Sequence, residues 1–433
     1  MLLSNASALC AKPHSMIKKM IIQHRRLNVT LLDQAMVSGV NFLTGILIAR
    51  FLGIKAFGVF TLVWMAVLFV NSIQMAMISA PMMTVGPKQS DAERPSYYGA
   101  VVIHQLIFSF LSCGFLWVGV MISDQIYPEW HIVQLALPLS AALFFFQNQD
   151  FLRRVFFTEC RANTALANDA VSYLGRIGLL LLLFSTANTT TADVLWVVAV
   201  TSALAVAVGL STLENLSFSR RHLWPVFKRH WILSKWMTAS AVLQWTSGNY
   251  FILVAGSLLG PAAVGALKAA QNIIGITHIL FQGLDNIVPA TASRHFSEEG
   301  VKGLKRYLIK VALWGGGATL VIAFAVSLFP DDLLRLVYGE QYDGYGYILR
   351  WYALCYVLMF FSLPLRAGLR VLEASKPIFI TYVLMTVFSI LFSWKIVERW
   401  GMEGAMFGIL TIQMIMLSSL FYHSKLSLRK ASM

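Results

Sequence analysis

The chain has 433 residues, of which 58% are hydrophobic and only 12% charged, and its formal net charge is +14. Soluble domains carry about a quarter charged residues, so this composition excludes a water-soluble enzyme or nucleic-acid-binding domain and reads as membrane-embedded helix. Four cysteines, Cys10, Cys113, Cys160 and Cys355, have no close spacing that suits zinc or a redox pair.

In chain order, a basic arm over residues 1–27 comes first, with Lys12, Lys18, Lys19, Arg25 and Arg26; Met16 is as good a start as Met1. Apolar stretches long enough to cross a bilayer then occur at 28–51, 57–85, 99–122, 132–152, 166–186, 193–214, 236–259, 262–290, 306–329, 347–365, 377–394 and 404–423. Basic residues crowd alternate connections. Arg153, Arg154 and Arg161 are followed by Arg220, Arg221, Lys228 and Arg229, then by Arg294, Lys302, Lys305 and Arg306, then by Arg366, Arg370 and Lys376, and finally by Lys425, Arg429 and Lys430. The intervening connections 123–131 and 187–192 have neither Lys nor Arg, and 330–346 has only Arg335; Lys395 and Arg399 are the main exception. The positive-inside rule then places both termini in the cytoplasm and makes the number of spans even. The expected architecture is an all-α integral membrane protein with twelve transmembrane helices. Its parts are the arm 1–27, a six-helix lobe 28–214, a cytoplasmic linker 215–235 containing Pro225, a second six-helix lobe 236–423 and a tail 424–433.

A hairpin signature occurs twice. Leu52-Gly53, four residues and Gly58 join the first pair of spans, and Leu259-Gly260, four residues and Gly265 join another pair 207 positions later, with Pro81 and Pro289 following at nearly the same offset. Six spans separate the copies, so both hairpins run the same way across the membrane, and the two lobes form a parallel repeat around an expected central cavity. Aligned by their glycines, Lys268 falls opposite Thr61, His278 opposite Asn71, Asp285 opposite Ile78, and Arg50 opposite Ser257.

The stretch DQAMVSGVNFLTGILIARFLGIKAFGVFTLVW from Asp33, followed by ISAPMMTVGPK from Ile78, resembles the opening of bacterial polysaccharide exporters of the Wzx type. These share a superfamily with the MurJ-type lipid II flippases and the multidrug and toxin extruders. The resemblance is dense over the first 90 residues or so and implies a flippase of the bacterial inner membrane. Its cargo would be undecaprenyl-diphosphate-linked oligosaccharide repeat units, moved by alternating access for lipopolysaccharide or exopolysaccharide synthesis. Membrane lipids, a polysaccharide polymerase and its chain-length machinery are the implied partners, and nucleic acid is not.

Polar residues inside the spans are the candidate site, because a charge at the bilayer centre costs about 2.5–3.5 kcal/mol on insertion scales unless it meets a cavity or a partner. In the first span Thr30, Gln34, Ser38, Asn41 and Gly45 form a narrow stripe that reads equally as helix packing or cavity lining. Asp33 lies beside it near the cytoplasmic end, and Arg50 stands near the outer end, within snorkelling reach of the interface. Arg176, halfway along the fifth span, has the fork geometry that grips phosphate oxygens. The alternative for Arg176 is a structural ion pair, although Asp169 is too far along the same helix to provide it. Ser240, Gln244 and Ser247 share a face of the seventh span, suited to sugar hydroxyls or to packing. In the eighth span Lys268, Gln271, Asn272, Gly275, His278, Gln282, Asp285 and Asn286 fall within an arc of about 140°. This reads as one polar face, lining either a hydrated groove or a polar contact between helices. Lys268 could neutralise a diphosphate, or snorkel to the outer interface. The expected substrate contacts are thus Arg50, Arg176, Lys268, Asn272, Gln271, Gln244 and Asn41, and the expected ion-coupling groups are Asp33, His278 and Asp285.

No GxxxxGK[ST], GxGxxG or HExxH motif occurs. No cofactor is expected, and coupling falls to a proton or sodium ion or to downhill movement of the cargo. A multidrug or cation extruder on the same fold is the main alternative. A membrane glycan polymerase or ligase is disfavoured, since the longest outward connection, 330–346, is too short for an ordered catalytic domain.

Overall fold

The computed structural model describes residues 16–185, 189–213, 216–275 and 277–431, so the segment that precedes Met16 lies outside the described residues. Among the described residues there is no strand. In chain order the helices are α1 (Met16–Gln74), a π-helical turn (Met75–Ser79), α2 (Ala80–Val85), α3 (Arg94–Ile126), α4 (Ala136–Thr158), α5 (Ala162–Phe184), α6 (Thr191–Ser211), α7 (Arg220–Leu259), α8 (Pro261–Ile274), α9 (Thr277–Leu328), α10 (Pro330–Tyr338), α11 (Gly346–Val371) and α12 (Ser375–Ala431).

Three of these helices are too long to cross a bilayer once. The 59 residues of α1 would extend roughly 90 Å if straight, three times the ~30 Å of hydrocarbon. Instead α1 folds at Gly53, whose φ of 83° and ψ of 172° suit only a residue without a Cβ. Gly300 in α9 and Gly401 in α12 break their helices in the same way. Counting the three broken helices as two segments each, taking α8 with the first half of α9 as one, and leaving aside the short α2 and α10, gives twelve segments among the described residues, in the order and close to the positions expected from hydropathy. Gly260, at the tip of the second hairpin, has φ 86° and ψ 173°, so the two hairpins match in backbone conformation as well as in spacing.

The chain divides into two compact units: residues up to Leu52 together with Val63–Val242, and Gly53–Leu62 together with Leu243–Met433. The tip of the first hairpin therefore belongs to the second unit. There Gly58 lies against the Pro261 carbonyl, and Gly265 lies against the Ile54 carbonyl, its counterpart in the repeat. The Ile54 amide donates to Gln341 Oε1 at 3.2 Å, and the Phe57 ring stacks on Tyr338 of α10 at 6.5 Å between centroids.

In the first unit the expected linker is not an open connection. Residues from Arg220 form the opening of the 40-residue helix α7. Val226 joins the core of Tyr97, Tyr98, Phe151 and Phe156, and the Ser217 amide donates to the Pro95 carbonyl at 3.1 Å. His230 is buried, with Nε2 2.9 Å from the Tyr97 hydroxyl. Burial first, then the positive charge of His104 and Arg229, holds the His230 pKa down at about 4. The unfolded chain binds a proton near pH 6.5 and the folded one does not until about pH 4, so stability is full above pH 6.5 and falls as pH drops through that window. His230→Gln, which keeps a hydrogen-bonding side chain but does not titrate, is expected to flatten the decline by up to about 1.4 kcal/mol per pH unit. Thermal unfolding of the detergent-purified protein between pH 7.5 and 4.5 measures this, and identical slopes for parent and variant would refute it.

Candidate functional site

The first unit concentrates its polar groups where α1, α4 and α5 meet. Arg153 of α4 bridges two carboxylates: Nη2 stands 2.6 Å from Asp33 Oδ2 on α1, and Nε stands 2.5 Å from Asp169 Oδ2 on α5. Gln149 donates to Asp169 Oδ1 at 2.6 Å, and Arg154 pairs with Asp150 at 3.4 Å. Asp33 and Asp169 are fully buried, and Asp150 and Arg153 nearly so. Three carboxylates thus share two guanidinium groups, one negative charge in excess, and a bound proton or cation would balance the count. One turn of α4 supplies most of the set, since Gln149 and Asp150 lie four and three residues before Arg153, the spacing of neighbours on a helix surface.

A second polar layer lies about 11 Å farther along α5, seven residues from Asp169. Arg176 is 2% exposed, lies over the Tyr173 ring at 5.0 Å, and donates to Asn41 Oδ1 at 3.5 Å. Val37, Val40 and Tyr173 form an apolar layer between the two. Among the described residues no carboxylate pairs with Arg176, and its Nε and Nη2 have no hydrogen-bond acceptor. A buried guanidinium in this state is costly unless an anion visits it.

These positions correct part of the sequence reading. Arg153 is not a cation of a cytoplasmic loop, because its charge is taken up by Asp33 and Asp169 inside the helices. Asp33, expected near the cytoplasmic end of the first span, is fully buried. Asp169 is indeed no partner of Arg176; it belongs to Arg153.

In the second unit Lys268 Nζ donates to Gln271 Oε1 at 2.8 Å, one turn along α8. Asn272 is half-buried on the same helix. α8 ends at Ile274 and α9 begins at Thr277, and of the expected polar face of the eighth span the side chains of Lys268, Gln271, Asn272 and Asp285 are described. The side chains of His278, Gln282 and Asn286 lie outside the described residues. Asp285 faces Arg370 at 3.3 Å and Arg366 at 3.6 Å, so one carboxylate meets two arginines of α11. Arg50, at the end of the first half of α1, and Gln244, in α7, are exposed side chains outside both polar layers.

Sequence reasoning missed Arg153, Asp150 and Gln149. The signal was available in the run Gln147-Asn148-Gln149-Asp150 inside an otherwise apolar helix, since consecutive polar residues in a membrane span need partners from neighbouring spans.

Residues 237–395 match the MatE family model. No curated protein matches the chain in sequence. Among solved structures the chain is similar to an inward-facing multidrug resistance MATE family transporter of the MOP superfamily, with a TM-score of 0.73 at 16% identity, over 92% of this chain and 95% of that one. It is similar also to the lipid II flippase MurJ in an inward closed conformation, with a TM-score of 0.66 at 14% identity, covering 92% of this chain and 87% of that one. A third is a MOP superfamily transporter from Pyrococcus furiosus, described as having a binding pocket of reversed polarity, with a TM-score of 0.63 at 14% identity over 99% and 98% of the two chains. The chain is thus a multi-pass membrane protein with the fold of the MOP superfamily transporters.

Proposed function

We propose that the chain is a secondary transporter that flips an undecaprenyl-diphosphate-linked oligosaccharide across the bacterial inner membrane by alternating access, with both termini in the cytoplasm. The observation that carries this reading is Arg176, a buried guanidinium with no carboxylate partner among the described residues. A diphosphate supplies the missing anion, and the planar fork suits its oxygens. Asn41 offers a hydrogen bond beside Arg176, and in the second unit Lys268, with Gln271 and Asn272 on the same helix, is a further candidate contact for an anion. The excess carboxylate around Arg153 supports coupling to a proton at Asp33 and Asp169.

Arg176→Gln combined with Lys268→Gln is expected to reduce surface-glycan export at least tenfold, since each charge-assisted hydrogen bond is worth about 1.5–3 kcal/mol. Short lipid-linked oligosaccharides should then accumulate on the inner leaflet. Arg176→Met alone should leave thermal stability equal or higher, because it removes an uncompensated buried charge. Export at the parental rate, with the protein present at parental level, would sink the reading.

The match of residues 237–395 to MatE favours one competing reading, a multidrug extruder. A cationic drug would gain nothing from Arg176, and efflux of cationic dyes from cells expressing the protein separates the two.

A further inference from the structure

The second unit contains a cavity of about 960 Å³ walled by α9 beyond Gly300, by α11, and by α12 beyond Gly401. Its walls are apolar, with Phe361, Leu417 and Phe421 prominent, and its basic residues are Lys305, Lys425 and Arg429. No Asp or Glu is among the residues that line it. On α9 the charge is at Lys305 and the wall continues to Ala312, about 10 Å farther along the helix. On α12 the wall begins at Leu417 and the charges follow at Lys425 and Arg429, so both helices carry their charge at one end of the cavity and their apolar residues at the other. Phe421 is 60% exposed and Ile309 is 48% exposed. Large apolar side chains at that exposure on a membrane-crossing helix face lipid, so the medium outside this cavity is the bilayer. The three basic residues fall in two segments, around Lys305 and around Lys425, and both are ones the positive-inside rule puts on the cytoplasmic side.

We infer that this cavity binds an anionic phospholipid of the cytoplasmic leaflet, the phosphate held by Lys305, Lys425 and Arg429 and an acyl chain lying along Leu417 and Phe421. Charge complementarity selects the occupant. Lys305 and Lys425, with no acid in the lining and Arg429 at the same end, match a net-negative head group, whereas a zwitterionic head group brings its own cation into the same space. Basic pockets between helices at the cytoplasmic end of a membrane protein are suited to such head groups, each cation near an anionic surface contributing about fivefold in affinity. None of the residues assigned to cargo lines it.

The test uses the full-length protein in detergent, offered equimolar palmitoyl-oleoyl phosphatidylglycerol and phosphatidylcholine, with retained lipid counted by native mass spectrometry. Phosphatidylglycerol is expected to be retained at least tenfold over phosphatidylcholine. Lys305→Gln with Lys425→Gln and Arg429→Gln should bring the ratio close to one, whereas Lys305→Arg with Lys425→Arg and Arg429→Lys should keep it. Ala312→Trp, which fills the apolar end without touching a charge, should lower phosphatidylglycerol retention as well. Neutralising Arg220, Arg221 and Lys228 in the first unit should change nothing. Equal retention of the two lipids by the parent, or undiminished selectivity in the glutamine variant, would overturn the assignment. A preference for a polyprenyl phosphate over phosphatidylglycerol would overturn it too, by giving the cavity to the cargo.

Discussion

Replacing Arg153 with methionine is expected to cost about 3–5 kcal/mol of unfolding free energy, the amount typical of removing one partner from a buried ion pair. Arg153 holds Asp33 at 2.6 Å and Asp169 at 2.5 Å, and both carboxylates are fully buried. Methionine fills similar space but leaves two carboxylates facing each other without a cation, where water cannot reach them. Arg153→Lys should fall between the two. An ammonium carries the charge, but it cannot place one nitrogen on each carboxylate as the guanidinium does with Nε and Nη2. The triple change Arg153→Met, Asp33→Asn and Asp169→Asn removes all three charges and should recover most of the loss, because the penalty lies in the unpaired ions rather than in the missing attraction. Thermal and denaturant unfolding of the four proteins in one detergent gives the comparison. An Arg153→Met protein as stable as the parent, or a triple variant less stable than the single one, would contradict the argument from burial. The triple variant also separates structure from coupling, since under the proposed function it should fold and yet lose the dependence of export on the proton gradient.

The same cluster marks where a linear reading fails. Arg153 and Arg154 end an apolar stretch, and along a sequence that is how the cytoplasmic edge of a membrane helix looks. What keeps Arg153 inside is supplied by Asp33, 120 residues earlier, and by Asp169 on the following helix. Hydropathy weighs each residue against lipid or water and has no term for such a partner. The twelve segments were legible because the cost of exposing backbone and charge to hydrocarbon acts on each segment separately. Breaks in helices are less legible. Gly53 and Gly260 stand out because a spacing repeats around them, but nothing in the sequence distinguishes Gly300 or Gly401 from the glycines that remain inside helices. Among the candidate residues, pairs close together on one helix were accessible to spacing, as with Lys268 and Gln271. The pairing of Asn41 with Arg176 depends on how α1 and α5 pack, which spacing along either helix does not encode.

The repeated hairpin leads to the second large expected effect. At Gly58 an added Cβ meets the Pro261 carbonyl, and at Gly265 it meets the Ile54 carbonyl. Both obstacles are backbone, which cannot swing aside as the end of a side chain can. Gly58→Ala and Gly265→Ala should therefore each destabilise by about 1–3 kcal/mol, the range for overpacking a close contact. Elsewhere in these helices the sign reverses. Gly119 in α3 has nothing within 4 Å of an added Cβ, so Gly119→Ala should gain about 0.5–1 kcal/mol from reduced backbone entropy. The decisive experiment is the pair. Each alanine pushes the same two hairpins apart, so once one is present the other finds its space already open, and the double variant should cost much less than the sum of the singles. A double-mutant cycle by thermal unfolding reads this directly, with an expected coupling of about 1 kcal/mol or more for residues in contact. Additive costs would mean that the two glycines relieve separate clashes. In that case the LG-x4-G signature would mark common ancestry of the two halves without joining them. Coupled costs would mean that the repeat persists because each copy supplies the glycine against which the other copy's carbonyl packs.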